Sequence, residues 1–230
     1  MAKKLLSLFS LLLSTCTLLY AQSIEDVIST RDLYAKNTNK YITVKGVELK
    51  PGLRMQDLLQ VFESKGYTKS SSFEFAKSEF GIFDLSGSFY NRRDCKIRLI
   101  PIESDNRIVG KIGISFPERN SFRALKEEYD ELKAALSAKY HINSCKELFD
   151  KDYLNSDTSD YLKLNALKKN ECIFETVFYL SDDNISLLLG QIKLSITHIE
   201  VNYQSYYYVN LLYTTSDSVI EQLNNMNNDI

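Results

Sequence analysis

Histidine is nearly missing from this chain. Only His141 and His198 occur in 230 residues, tryptophan is absent, and proline appears three times. Acid–base and metal chemistry lean first on imidazole, so the scarcity leaves few ways to assemble a catalytic or metal centre. His141 follows a long helical pattern and reads as a solvated terminus residue. His198 and Glu200 share one face of a strand pattern, but no further ligand stands at a recognisable spacing. Also absent are a GxSxG elbow, an HExxH helix, a phosphate-binding loop and a dinucleotide fingerprint. Asp182-Asp183-Asn184 lacks the spaced oxygens of a calcium loop and reads as a hairpin turn. Gly110-Lys111-Ile112-Gly113 lies inside a strand pattern and is explained by packing. Basic and acidic residues number 28 and 30, a net charge of −2, so nothing favours nucleic acid. The expectation is no catalytic residue, no metal and no cofactor.

What is present begins with an address. Lys3 and Lys4 precede an apolar run from Leu5 to Leu13, and Tyr20-Ala21 offers a cleavage site before Gln22, which together read as an export signal over residues 1–21. An exported protein, periplasmic or secreted, is expected. The alternative is a lipoprotein: Leu13-Ser14-Thr15-Cys16 resembles a lipobox, which would tether the chain to a membrane through Cys16. After this stretch no segment is apolar enough to span a bilayer. Cys95, Cys145 and Cys172 remain, and an oxidising compartment favours pairing two of them. Cys145 and Cys172 bracket the most polar, least periodic part of the chain, so a disulfide is expected there. Cys95 opens the apolar side of a strand pattern and is expected in the core.

The periodicity changes along the chain in an orderly way. Met55, Leu58, Leu59 and Phe62 predict a short helix stopped by Gly66. Alternation over Phe83 to Phe89, Cys95 to Leu99 and Ile108 to Phe116 predicts an antiparallel meander, with Phe73 to Phe75 as a fourth strand at its edge. Asn120 or Ser121 caps the strongest helical pattern, whose stripe is Phe122, Leu125, Tyr129, Leu132 and Leu136. Residues 143–171 read as a long loop containing a turn or two of helix. Strand patterns return over Cys172 to Leu180, Ile192 to Ile196 and Tyr207 to Tyr213, and a helix is expected from Ser216 to about Met226. The predicted class is α+β: a tandem repeat of helix plus antiparallel sheet of three to four strands, each a two-layer sandwich. The division is a leader at 1–21, a first repeat with its covering helix at 22–142, and a second unit at 143–230 that could continue the first.

The Gly46-Val47-Glu48-Leu49 strand before a Pro-Gly turn, Gly87-Ser88-Phe89 leading to Cys95, the Phe116-Pro117-Glu118-Arg119 junction and the Leu125 to Tyr140 helix resemble a group of small exported proteins of Bacteroides and related gut bacteria. The helix-then-sheet layout is also similar to the beta-lactamase-inhibitor-protein-like fold and the SmpA/OmlA outer-membrane assembly lipoproteins. These resemblances imply location and layout, not chemistry.

The polar side of the predicted sheets carries Asp84, Ser86, Tyr90, Lys96, Arg98, Lys111, Glu175, Tyr179, Lys193, Tyr206 and Tyr208. Tyrosine beside arginine is the composition of recognition surfaces, which singles out Arg98, Tyr179, Tyr206 and Tyr208 as binding residues. The expected partner is another envelope protein or a glycan; the bland reading is the solvated face of an antiparallel sheet. A small hydrolase of envelope or dietary polymers, using Asp84 and Glu175 as paired acids, is the alternative.

Overall fold

Met55, Leu58, Leu59 and Phe62 lie on one side of a helix, Met55–Ser64, and all four are buried. In the computed structural model, which describes residues 23–38, 40–151 and 158–228, this helix is the second of six. The expected export signal and Cys16 lie outside the described residues. Helix α1 (Ile24–Thr38) precedes it, and a small hairpin of β1 (Thr43–Val44) and β2 (Val47–Glu48) turns through Lys45 and Gly46, both at positive φ. After α2 (Met55–Ser64) come β3 (Thr68–Lys69), α3 (Phe73–Phe80), β4 (Phe83–Phe89), β5 (Arg92–Pro101) and β6 (Val109–Ser115). Then follow α4 (Phe122–Ser137), β7 (His141–Phe149), α5 (Asp160–Lys168), β8 (Cys172–Tyr179), β9 (Gly190–Val201), β10 (Gln204–Thr215) and α6 (Ser216–Asn228).

From α2 to β6 and from α4 to β10 the chain thus runs twice through helix, strand, helix and three strands. The tandem repeat is real, but the two sheets are one. Eight antiparallel strands stand in the order β3-β4-β5-β6-β10-β9-β8-β7, which reads the same outward from the β6–β10 seam in either direction. At the seam Ile114 pairs with Leu211 and Ile112 with Tyr213, so the last strands of the two repeats join.

One face of this sheet is the core. Leu85, Ile97, Leu99, Ile112, Ile114, Leu194, Leu211 and Tyr213 belong to a single buried cluster with Phe62 of α2, Phe73 of α3, Leu125, Tyr129 and Leu136 of α4, and Ala166 and Leu167 of α5. Ser121 caps α4 as expected, accepting from the Ala124 amide at 3.4 Å. At the end of the sheet, α1 and α6 pack on each other and on a 3₁₀ helix, Asn184–Leu189, that joins β8 to β9. There Gly190 has φ +102°, and a Cβ would sit 2.3 Å from the Thr214 carbonyl oxygen, so only glycine admits the strand to pairing.

Three expectations are corrected. Phe73 to Phe75 is no strand but the start of α3, which buries Phe73 and Ala76 and leaves Phe75 and Phe80 exposed. Residues 143–149, expected within a long loop, belong to β7 at the outer edge of the sheet, while the helical turns expected at Leu162 to Leu167 are α5, which packs on α4, β8 and β9. The Cys145–Cys172 disulfide is absent, and Cys95, Cys145 and Cys172 are all free. The β7–β8 register pairs Cys172 with Phe149, four residues beyond Cys145, which separates the two cysteine Cα atoms by roughly 14 Å against a limit of about 7 Å for a bridge. Cys95 is in the core as expected.

Candidate binding face

Alternation in the strands leaves the other sheet face without a full helical cover. Along β9, Ile192, Leu194 and Ile196 are buried, while Lys193, Ser195 and Thr197 between them are half-buried. Across the sheet, one row of this face runs Asp84, Arg98, Gly113, Leu212, Lys193 and Val177, and the next runs Ser86, Lys96, Ser115, Asn210, Ser195 and Glu175. The small residues Gly113 and Ser115 of β6 make a low floor between β5 and β10. Arg98 stands on one side of that floor and Tyr208 on the other.

The Arg98 fork is held in place. Its Nε and Nη2 donate to the two Asp84 carboxylate oxygens at 2.7 and 2.9 Å, and the Ser72 hydroxyl donates to Asp84 at 3.0 Å. Ser72 is the N-cap of α3 and spends its hydroxyl on Asp84 instead of on the helix. Burial would raise the Asp84 carboxyl, but the hydrogen bonds and charge of Arg98 overcome it and leave it below the ordinary range. A bidentate pair fixes orientation as well as charge, so Arg98 presents its remaining nitrogen to solvent with its side chain 58% exposed. Burial pushes the Tyr208 phenol up, and the Arg98 charge, close enough to be felt, pulls it partly back.

The sequence-predicted residues divide accordingly. Arg98 and Tyr208 are brought together, and Tyr206, half-buried, lies two residues along β10, its hydroxyl donating to Gln204 at 2.8 Å. Tyr179 is not part of the group: it lies on β8, four strands from Arg98, or about 19 Å across the sheet. Tyr90 occupies the β4–β5 turn at positive φ and packs against the core. Asp84 and Glu175 stand five strands apart, about 24 Å, well beyond the 5 to 9.5 Å that two glycosidase carboxylates need. Each also has its own cation, Arg98 or Lys193, the latter at 3.3 Å. That acid pair is therefore ruled out as a catalytic centre.

The remaining chemistry-bearing side chains are dispersed. His141 opens β7, exposed; His198 points to the core side beside Tyr207, and its neighbour Glu200 is paired to Lys168 at 2.9 Å. Among the described residues, no three His, Cys, Asp or Glu gather as metal ligands. A hollow of about 390 Å³ lies between the start of α2, the end of α3 and the β5–β6 loop, lined by Arg54, Lys77, Arg107 and Asp57. Arg107 is already held by Asp105 at 2.8 Å.

Two groups were missed in the sequence. Cys145, exposed on β7, accepts from Lys133 of α4 at 3.0 Å and lies 3.3 Å from Glu147, which itself pairs with Lys133 and Lys126. The second is apolar. Leu148, Ile173, Ile199 and Val201 are 46, 43, 45 and 48% exposed and all lie on the face of Arg98 and Tyr208. Their signal was their parity, since Ile173, Ile199 and Val201 fall on the polar positions of their strands. No family model, no curated protein and no solved structure matches the chain.

Proposed function

We propose that this chain is a non-catalytic binding module exported to the bacterial envelope, periplasmic or secreted, which takes another protein or a glycan on the open face of its sheet. The observation that carries this reading is the Asp84-clamped Arg98 standing across the Gly113–Ser115 floor from Tyr208. A guanidinium held by a buried carboxylate loses little freedom on meeting a ligand, and Arg and Tyr are the residues that dominate measured binding energies. The export signal supports the location, and the Leu13-Ser14-Thr15-Cys16 motif keeps a membrane-tethered form as the alternative.

The test is capture from envelope extracts by the full chain and by a variant carrying Arg98→Ala, Tyr206→Ala and Tyr208→Ala. Arg98→Ala also strands the buried Asp84 carboxylate, so the variant is expected to unfold several degrees lower but still cooperatively, and, folded at the assay temperature, to lose its partners. An unchanged partner list from a folded variant would refute the reading.

A further inference from the structure

We infer that the occupant of this face is a protein whose contact surface carries apolar side chains rimmed by carboxylates. The inference rests on the reading above and specifies its partner.

Two features of the face must be satisfied together. The first is the aliphatic patch. Leu148 pairs with Ile173 across β7 and β8, and Ile199 pairs with Tyr206 across β9 and β10, with Val201 two residues further along. Four branched side chains, each nearly half exposed, therefore gather at the β9–β10 hairpin end of one face. Scattered apolar residues need no explanation, but a contiguous group on a sheet face marks an interaction site.

The second feature is charge. Among the strand-paired positions of this face the cations are Lys96, Arg98, Lys111, Lys146 and Lys193, against two carboxylates, Asp84 and Glu175. Both carboxylates are already engaged, by Arg98 and Lys193, whereas Lys96 and Lys146 have no ion pair among the described residues. The paired positions of this face are thus positive on a chain whose net charge is −2, with Asp150 and Glu171 standing just past the ends of β7 and β8. A polyanionic glycan would answer the cations and leave the aliphatic patch wet. A neutral glycan would stack on the tyrosines but leave Lys96 and Lys146 unanswered. A protein surface with an apolar centre and an acidic rim answers both, in the arrangement that interfaces commonly take.

The test pans a random peptide library displayed on phage against the full chain, with Ile199→Asp and the double variant Lys96→Glu with Lys146→Glu as parallel baits. Backbone amide NMR with a sulfated oligosaccharide is the second arm. The expected result is enrichment of peptides combining Asp or Glu with Leu, Ile, Val or Phe. Synthetic copies of these peptides should shift the amides of Leu148, Ile173, Ile199 and Tyr208 and bind each variant about tenfold more weakly or worse. Peptides without acidic residues, or binding indifferent to both variants, would overturn the inference. If the oligosaccharide moves this same set of amides and no peptide does, the face remains a binding surface and the protein partner is wrong. Concentration-dependent shifts of these amides without any probe would assign the face to a second copy of the chain and also overturn it. If neither probe acts and capture is unchanged in the triple variant, the proposed function falls with it.

Discussion

A reducing agent should leave the stability of this protein unchanged, although a sequence that reads as exported, with cysteines at 145 and 172, invites the opposite expectation. Closing that loop would stabilise the fold by about 3.5 kcal/mol on the chain-entropy estimate, equivalent to about 7 to 14 °C in Tm for a domain of this size. The β7–β8 register forbids the closure, because bringing the thiols together would slide β7 four residues along β8. Such a slide would draw Phe149 away from its contacts with Phe122 and Phe174, whose ring centroids lie 5.5 and 5.3 Å from its own. Thermal unfolding with and without dithiothreitol should therefore give midpoints that agree within about 1 °C. Ellman's reagent should find every cysteine from Gln22 onward free in denaturant without prior reduction, and one fast-reacting thiol in the native protein. The fast thiol is Cys145, the exposed one. Burial keeps the Cys95 thiol above its ordinary range and pushes that of Cys172, helped by Asp150 and Glu171, up to about 12. A fall of several degrees on reduction, or a missing pair of thiols in denaturant, would refute the register argument.

Two further predictions concern charged groups on α4 and its neighbours. Glu128 is 3% exposed and accepts from Arg92 and Arg119, each at 3.0 Å, so Glu128→Ala removes the buried partner of two guanidiniums, of which Arg92 keeps Glu131, and should cost about 2 to 3 kcal/mol in urea unfolding, a buried-pair loss discounted because both arginines are one-third exposed. Glu131→Ala, losing the exposed partner of the same Arg92, should cost less than about 1 kcal/mol, and equal costs would refute the distinction. The second prediction is a pH dependence. Burial would raise the Glu147 carboxyl, but Lys133, Cys145 and Lys126 outweigh it and take it from 4.5 to about 2, while Asp84 is lowered by Arg98. Carboxyls depressed in the folded state stabilise it above their unfolded pKa and cease to do so as pH falls through the folded value. Stability should therefore decline from about pH 5 toward pH 2, and Glu147→Gln should flatten part of that slope; an unchanged slope would count against the Lys133–Glu147 pair.

The reliability of the sequence reading followed the strength of each pattern. The α4 stripe, the β4–β6 meander and the β8 to β10 alternation were legible because their apolar residues meet one buried face at a constant period. Helix α1 was missed because it buries Arg31, which reaches Ser216 and Asp217 at 3.5 Å, so its inward side carries charge where a pattern search wants aliphatics. Phe73, Phe75 and Phe80 in α3 imitated strand alternation, and tertiary packing on β4 decided otherwise. Strand β7 was illegible because an edge strand partners only one neighbour and none of its residues is fully buried, so Cys145, Lys146 and Glu147 looked like loop. That failure also concealed the aliphatic patch, since Leu148 joins Ile173 only once β7 is known to be a strand.

The seam between the repeats decides whether they are two domains or one. Each repeat alone would expose a flank of β6 or β10, and the paired row Ile112, Ile114, Leu211 and Tyr213 would lose neighbours on one side. Since one buried cluster includes helices and strands of both repeats, the halves have no separate cores through which to unfold separately. Leu211→Ala deletes a fully buried side chain at the seam and should cost about 2 to 5 kcal/mol. The consequence for cooperativity is sharper than the magnitude. Urea unfolding followed by tyrosine fluorescence and by circular dichroism should remain one coincident transition with an unchanged m-value in both the wild type and the variant. Separated transitions would mean that the repeats hold together independently. Arg98 on the first and Ile199 on the second would then no longer be held as parts of one rigid surface.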